Sequence, residues 1–464
     1  MSQISYIKYT DVLEARRYDA EYFKPEYLQI EKLISKLDNK PIGKIISLLT
    51  DYHANGSYQI LNEHVNLLDK KDYALMVRTV DFETDNFETD RKYLSEPAYN
   101  FLKKTKMYGG EIVINKIGNA GRVYFLQKMN QPVSLGMNQF MIRTNENINN
   151  YYLYIYLISR YGKKLIERRI TGAVPLSIDK QSVRNVTVPI LPQPFQFKIE
   201  QLVKLSHQKQ HQSKILYQEA EKLLLSELGL LNYQVKQELT FSTTKKEIEE
   251  AHRYDSEYFQ PKYKEIIERI EKYNGKYDVV REIVKWKKGV EVGTDAYTES
   301  GKDFIRVSDF SKYGISESNK KISDKAFEYL KNNYQPKKGE MLFTKDGTIG
   351  ISYVLKEDIE GIISGAFLRL NLKEKYKNFE KECLSLIFSS IICKMQVEKL
   401  SGGAVIAHLK PSDFDTFKIP LIRSSVQKQI ADKIQQSHMH RKESKGLLEE
   451  AKRKVEEEIE RGNL

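Results

Sequence analysis

Lys116 and Lys345 each lead into a turn closed by two glycines, "KIGNAG" (116–121) and "KDGTIG" (345–350). Glycine lets backbone amides come close to an anion, and Lys116, Arg122 and Lys345 bring positive charge to the same places. Asn119 and Thr348 lie inside the turns and carry side chains able to hydrogen-bond a phosphate or a base. The chemistry offered is grip on a polyanion. A glycine turn between paired strands needs only a positive φ, so both readings stand together. Arg78 and Arg306 form a second pair, each three residues ahead of an Asp in "VRTVDF" (77–82) and "IRVSDF" (305–310). Either guanidinium could fork onto guanine or phosphate. An internal Arg–Asp pair is the plainer account. Lys410 is one further cationic candidate.

Residues for bond-making are missing. The sequence holds no G-x-x-x-x-G-K-[ST] loop, no H-E-x-x-H and no clustered Cys/His. Cys383 and Cys393 lack zinc-site spacing, and packing on one helix face suits them better. His207 and His211 share a helix face at i, i+4 without a third ligand, which reads as a solvated face.

Those candidates come in pairs because the chain is a tandem duplication. "RRYDAEYFKPEY" (16–27) matches "HRYDSEYFQPKY" (252–263) at eight of twelve positions. The same order then recurs: "GEIVINKIGNAG" (110–121) with "GEMLFTKDGTIG" (339–350), "NQFMIRTN" (138–145) with "GAFLRLNL" (365–372), "GAVPLSI" (172–178) with "GAVIAHL" (403–409), and "VPILPQPFQFKI" (188–199) with "IPLIRSSVQKQI" (419–430). A period this long means repeated domains rather than a solenoid.

The elements that must position the candidates also repeat. Each half opens with a β-like segment, "ISYIKY" or "ELTFS", and a helix begun by Pro25 or Pro261. Glycine-bounded strands follow, "EIVINKI", "RVYFL" and "QFMIRT", then "EMLFTK", "ISYVL" and "AFLRLNL". One helix, "YYLYIYLISRYGKKLIERRI" or "ECLSLIFSSIICKMQVEKL", leads to a last strand, "NVTVPI" or "TFKIPL". A long proline-free helix closes each half. Phe195, Ile199, Leu202, Leu216, Ala220 and Leu223 trace an apolar seam on the first, and Ile430, Ile434, Leu448, Ala451 and Val455 on the second. Both seams turn polar midway, at Ser206, Lys209 and Ser213 and at Ser437, Arg441 and Ser444, so the helices are expected to pair antiparallel.

The net charge is +12. The stretches 195–231 and 424–464 supply only +2 of it, leaving +10 on the two large regions, as a phosphate-binding surface requires. The N-terminus shows no signal pattern and no apolar run approaches membrane-spanning length, so a cytoplasmic protein without membrane contact is expected.

Two α/β domains, each opening with R-Y-D-[AS]-E-Y-F, each carrying the glycine turn and each ending in P-x-x-x-x-x-x-Q-x-x-I and a long helix, resemble the specificity subunit of type I restriction–modification enzymes over essentially the whole chain. The resemblance implies an α+β fold. Target recognition domains occupy 1–192 and 233–422, conserved-region helices occupy 193–232 and 423–464, and the helices pair as an antiparallel coiled coil. Each domain would read half of a split double-stranded DNA target. The helices would set the spacer and dock two modification (methyltransferase) subunits, through Ile199, Leu202, Leu216, Leu223, Ile430, Ile434, Leu448 and Val455. It implies no catalysis and no cofactor here. S-adenosylmethionine belongs to the modification subunits, ATP and Mg to the restriction subunits. In agreement, no Pro-Pro pair exists to form an adenine methyltransferase signature. A related non-type I system, an orphan specificity protein and a free-standing DNA-modifying enzyme are the competing readings.

Residues shared by both halves cannot read two different half-sites, so they should keep structure or grip phosphates. Readout belongs where the halves differ, as in 118–139 against 347–366, where only the first half has Arg122, Asn138 and Gln139. The repeated motif itself, Arg17, Asp19, Tyr22 and Phe23 with Arg253, Asp255, Tyr258 and Phe259, is expected to anchor each first helix. Tyr18 and Tyr254 share its core-like spacing.

Overall fold

The computed structural model describes residues 4–88, 90–316, 318, 320–401 and 408–462. It divides into two compact units, 1–209 with 443–464, and 210–442. Each unit therefore takes one half's α/β part and a segment of each long helix.

In the first unit a four-stranded antiparallel sheet runs in the order Ile46–Asp51, Gln139–Thr144, Ile112–Asn115, Val123–Phe125. Its central strands are covered on both faces, which explains their unbroken apolar run. Phe140, Ile142, Ile112 and Ile114 face helices Asn150–Ile158 and Arg160–Glu167. Val113 and Met141 face a second, mixed sheet ordered Lys92–Leu94, Ala74–Val77, Val133–Leu135, Lys106–Met107. The second unit repeats the first sheet as Val284–Lys288, Phe367–Leu372, Met341–Thr344, Ser352–Val354. The duplication is thus one of topology. Pairing also corrects the sequence alignment by one residue: Ile112 opposes Ile142 where Met341 opposes Leu370, so Gln139 answers to Phe367 and Asn138 to Ala366. A one-residue slip exchanges the two faces of a strand.

Pro25 and Pro261 do begin helices, Pro25–Ile34 and Pro261–Glu271. The expected opening strands do not form. Residues 4–8 and 238–242 pair with no strand and leave Ile4, Tyr6 and Leu239 exposed, and short helices Tyr9–Ala15 and Lys245–Ala251 follow. An isolated strand has no ladder to satisfy its backbone. Each expected single helix after the sheet is two. Ser159 ends the first pair's leading helix, its Oγ donating to Tyr156 O at 2.6 Å and accepting from Gly162 N. Ser390 Oγ likewise donates to Ile387 O at 2.7 Å. Serine competes with the helix ladder in this way. The tyrosines of "YYLYIYL" are structural: Tyr152 and Tyr156 hydroxyls donate at 2.7 Å to Pro189 O and Thr187 O, and burial raises both phenol pKa values. Cys383 and Cys393 are free and buried, and burial pushes both thiols up.

The long helices are Gln193–Glu227 and Ser424–Arg461. Within the first unit their segments run antiparallel. Ile199 and Val203 share a core with Ala451, Val455 and Ile459, and buried Ser206 Oγ meets Ser444 O at 2.8 Å and Oγ at 2.9 Å. Lys209 pairs with Glu443 at 2.7 Å. The second unit repeats this with Ser213 and Ser437 hydroxyls 3.0 Å apart, Lys433–Glu219 at 2.6 Å and a two-pronged Arg423–Glu227 pair. That Arg423 hydrogen bond holds the Glu227 carboxyl below its ordinary pKa. Seam phase differs from the expectation in part. Val203, Tyr217 and Leu224 are buried, while Leu202, Leu216 and Leu223 are half-buried.

Candidate nucleic-acid interface

Both glycine turns close the end of the central sheet. Gly118 and Gly121 have φ of +83° and +80°, and a Cβ on Gly121 would stand 2.7 Å from Ile166 Cγ2. Their amides turn inward, Gly118 N to Leu176 O and Gly121 N to Asn115 O, as does Gly350 N to Thr344 O. These amides serve the turn. Lys116 contacts Asp51 at 3.2 Å, and Lys180 reaches the same carboxylate at 2.7 Å. Burial works to raise the Asp51 pKa, yet the hydrogen bonds and charge of Lys180 and Lys116 leave it lowered. Two ammonium groups on one carboxylate leave an excess positive charge there. In the second unit Lys345 pairs with Asp346, whose other oxygen lies 2.8 Å from His408. "GAVPLSI" lies against the first turn through the Ile117–Ser177 bridge, and His408 bridges Asp346 in the same way. Residues 403–407 of its counterpart lie outside the described residues. Thr348 and Lys410 are exposed; the Thr348 carbonyl accepts from Thr344 Oγ1 at 2.6 Å.

Arg78 is engaged internally. Its backbone N–H donates to Asp81 Oδ2 at 2.7 Å, its guanidinium reaches both Asp81 oxygens, and the Asp81 hydrogen bond raises the arginine pKa. Arg306 keeps the backbone bond to Asp309 at 3.0 Å, but its Nε stands 3.7 Å from the carboxylate and has no hydrogen-bond partner. Asn119 and Arg122 are exposed, and Asn119 donates to Glu83 at 2.6 Å. Asn138 is exposed in the left-handed region, φ 64°, which asparagine tolerates. Gln139 is fully buried, so its side chain cannot meet a ligand at the surface directly.

The repeated motif anchors each first helix. Arg17 holds Asp19 at 2.6 Å, Asp19 caps Tyr22 N at 3.1 Å, and Arg168 lies over the Tyr22 ring while donating to Tyr22 O. Arg253, Asp255 and Tyr258 repeat the arrangement, with Lys399 over Tyr258. Phe23 is buried and Phe259 half-buried. Tyr18 and Tyr254, expected in the core, are 77% and 88% exposed because each ring precedes the capped turn rather than lying on it. His207 is not on a solvated face: it packs on Phe125, ring centres 5.4 Å apart, and burial lowers its pKa to about 4. Among the described residues no group of three or more His, Cys, Asp or Glu could hold a metal ion.

Residues 276–452 match the family of the type I restriction modification DNA specificity domain. That match covers part of the second half of the chain. The first unit carries the same central sheet as the matched region. Among solved structures it is similar to the type I restriction–modification S subunit from M. genitalium (13% identity, 90% of this chain and 95% of that one, TM-score 0.40) and to the HsdS subunit from Thermoanaerobacter tengcongensis (13% identity, 92% and 97%, TM-score 0.26). No curated protein matches the chain. The matched region is a DNA specificity domain of the kind found in type I restriction modification systems. No helix among the described residues is long and apolar enough to cross a membrane.

Ile199, Ile430, Ile434 and Val455 lie buried in the helix seams, so they hold the helices together rather than face outward. Sequence reasoning missed Glu83 and Asn115, which join Asn119 beside the turn. The signal was present: both positions differ between the halves, as Ser311 and Thr344.

Proposed function

We propose that this subunit reads a bipartite double-stranded DNA target, one half-site per recognition domain. The domains are 1–192 and 233–422; the helices 193–232 and 423–464 form the coiled coil that fixes the unread spacer. The observation that carries this is one sheet topology built twice in a chain whose residues 276–452 match the DNA specificity domain. Lys116, Lys180, Lys345 and Lys410 grip phosphates, and Arg122 and Asn138 contribute to readout in the first domain, while the looser Arg306 is free to turn to DNA in the second. Two modification subunits dock on the helices and carry S-adenosylmethionine; restriction subunits with ATP and Mg complete the complex in the cytoplasm. A groove of about 580 Å³ beside Phe197, Leu205 and Lys454 gives docking a largely apolar surface at the start of the first long helix.

Phosphate contacts release counterions, so the isolated chain should bind DNA weakly, with an affinity that falls steeply as salt rises. Sequence-specific binding and methylation should require the modification subunit. The test is titration of labelled duplexes with the chain alone and with its partner across a salt series. Methylation or cleavage by the chain alone would overturn the reading.

A further inference from the structure

Glu83, Asn115, Asn119, Arg122 and Gln139 converge at the glycine-turn end of the first unit's central sheet. Asn115 and Gln139 are directly opposed on neighbouring strands, so their side chains leave the same face. Both are fully buried. Gln139 Oε1 and Nε2 and Asn115 Oδ1 have no hydrogen-bond partner among the described residues. Asn115 Nδ2 approaches Glu83 Oε1 at 3.5 Å and Asn119 Nδ2 donates to that oxygen at 2.6 Å, which leaves Glu83 Oε2 without a hydrogen bond to the described protein. Glu83, Asn119 and Arg122 form the exposed rim.

The second unit closes the same place. The corresponding residues are Ser311, Thr344, Thr348, Ile351 and Phe367. Thr344 Oγ1 is satisfied by Thr348 O at 2.6 Å and Ile351 N at 2.9 Å, and buried Phe367 packs edge-on against Phe310. A framework that needed five polar groups would have kept them in both copies. Buried amides left unbonded are costly wherever nothing completes them, and a carboxylate so placed weakens attraction to phosphate. Both features suit selection rather than grip.

We infer that Glu83 is a specificity-determining residue of the first domain, accepting a hydrogen bond from a major-groove amino group of the target, adenine N6 or cytosine N4. Asn119 and Asn115 orient the carboxylate, and Gln139 is a positioning residue beneath them. Carboxylates select amino-bearing base edges in this groove. The inference rests on the DNA-specificity reading above.

The test uses the full chain assembled with its modification subunit. Binding is measured on duplexes in which each adenine or cytosine of the target in turn loses its exocyclic amino group. For the unsubstituted complex, one such loss in the first half-site should weaken binding about 5- to 150-fold. Glu83→Gln should bring that ratio close to one at this position alone, with the second half-site ratios and the salt slope unchanged. The identity of the position distinguishes adenine from cytosine. Asn119→Thr, at an exposed site, should reduce the same ratio. Unchanged ratios everywhere, or ratios falling in both half-sites alike, would overturn the inference while the DNA reading stands. If the unsubstituted complex discriminates at neither half-site, the DNA reading fails and this inference with it.

Discussion

Arg78 and Arg306 are the same residue in two copies of one fold, yet only Arg78 grips its aspartate through the guanidinium. Asp81 is nearly buried, so Arg78→Ala leaves a desolvated carboxylate with its backbone bond alone. We expect Arg78→Ala to cost about 2 kcal/mol in urea denaturation, and Arg306→Ala less than about 1 kcal/mol. Equal costs would contradict this division of labour. The internal Arg–Asp pair was legible from spacing alone. Gln139 was legible as a place where the halves differ, but not as a buried residue, because burial depends on a second sheet that no local pattern announces. Tyr18 and Tyr254 misled for a related reason. Helical spacing predicts a face, and these rings precede the capped turn, outside any helix.

At the scale of elements, the long helices were legible in extent and in their polar middles, where serines meet as hydroxyl pairs. Seam phase was less so, since a straight helix drifts against a strict heptad and Tyr217 displaces Leu216 from the buried row. A double-mutant cycle on Ser213→Ala and Ser437→Ala should give a coupling of about 1 kcal/mol; zero coupling would deny the pair. Each helix also carries a histidine that packs against its unit's sheet, His207 on Phe125 and His438 on Tyr353. His438 donates through Nε2 to Lys312 O as the neutral ring, and burial, helped by Lys356, lowers its pKa to about 4, matching His207. The unfolded value is about 6.5, so the unfolded chain binds more protons between pH 6.5 and 4. Stability from these contacts is therefore full above about pH 6.5 and lost as pH falls toward 4. Between pH 6.5 and 5 the loss is at most about 2 kcal/mol per histidine. Thermal melts across this range should fall, and His207→Phe should flatten the slope; an unaltered slope would show that His207 does not titrate this way.

At the scale of the molecule, the duplication was the most legible feature, because topology follows the order of segments and order survives divergence. The broken helices and the missing opening strands were not, since a serine cap and the lack of a partner strand act through tertiary context. If the helices set the spacer, four added residues between Lys209 and Ser213, with a matching insertion between Ser437 and Ser444, lengthen them by about 6 Å. The unread spacer should grow by about one to two base pairs at 3.4 Å each. An active variant with its spacer unchanged would remove the helices from that role. The central claim is that each half of the chain reads its own half-site. Its most direct test replaces residues 1–192 with the corresponding region of a relative and maps methylated sites genome-wide in cells that also make the modification subunit. The account predicts a bipartite target in which one half-site changes while the other half-site is retained. A target that changes in both half-sites at once, or that contains no unread spacer, would contradict it.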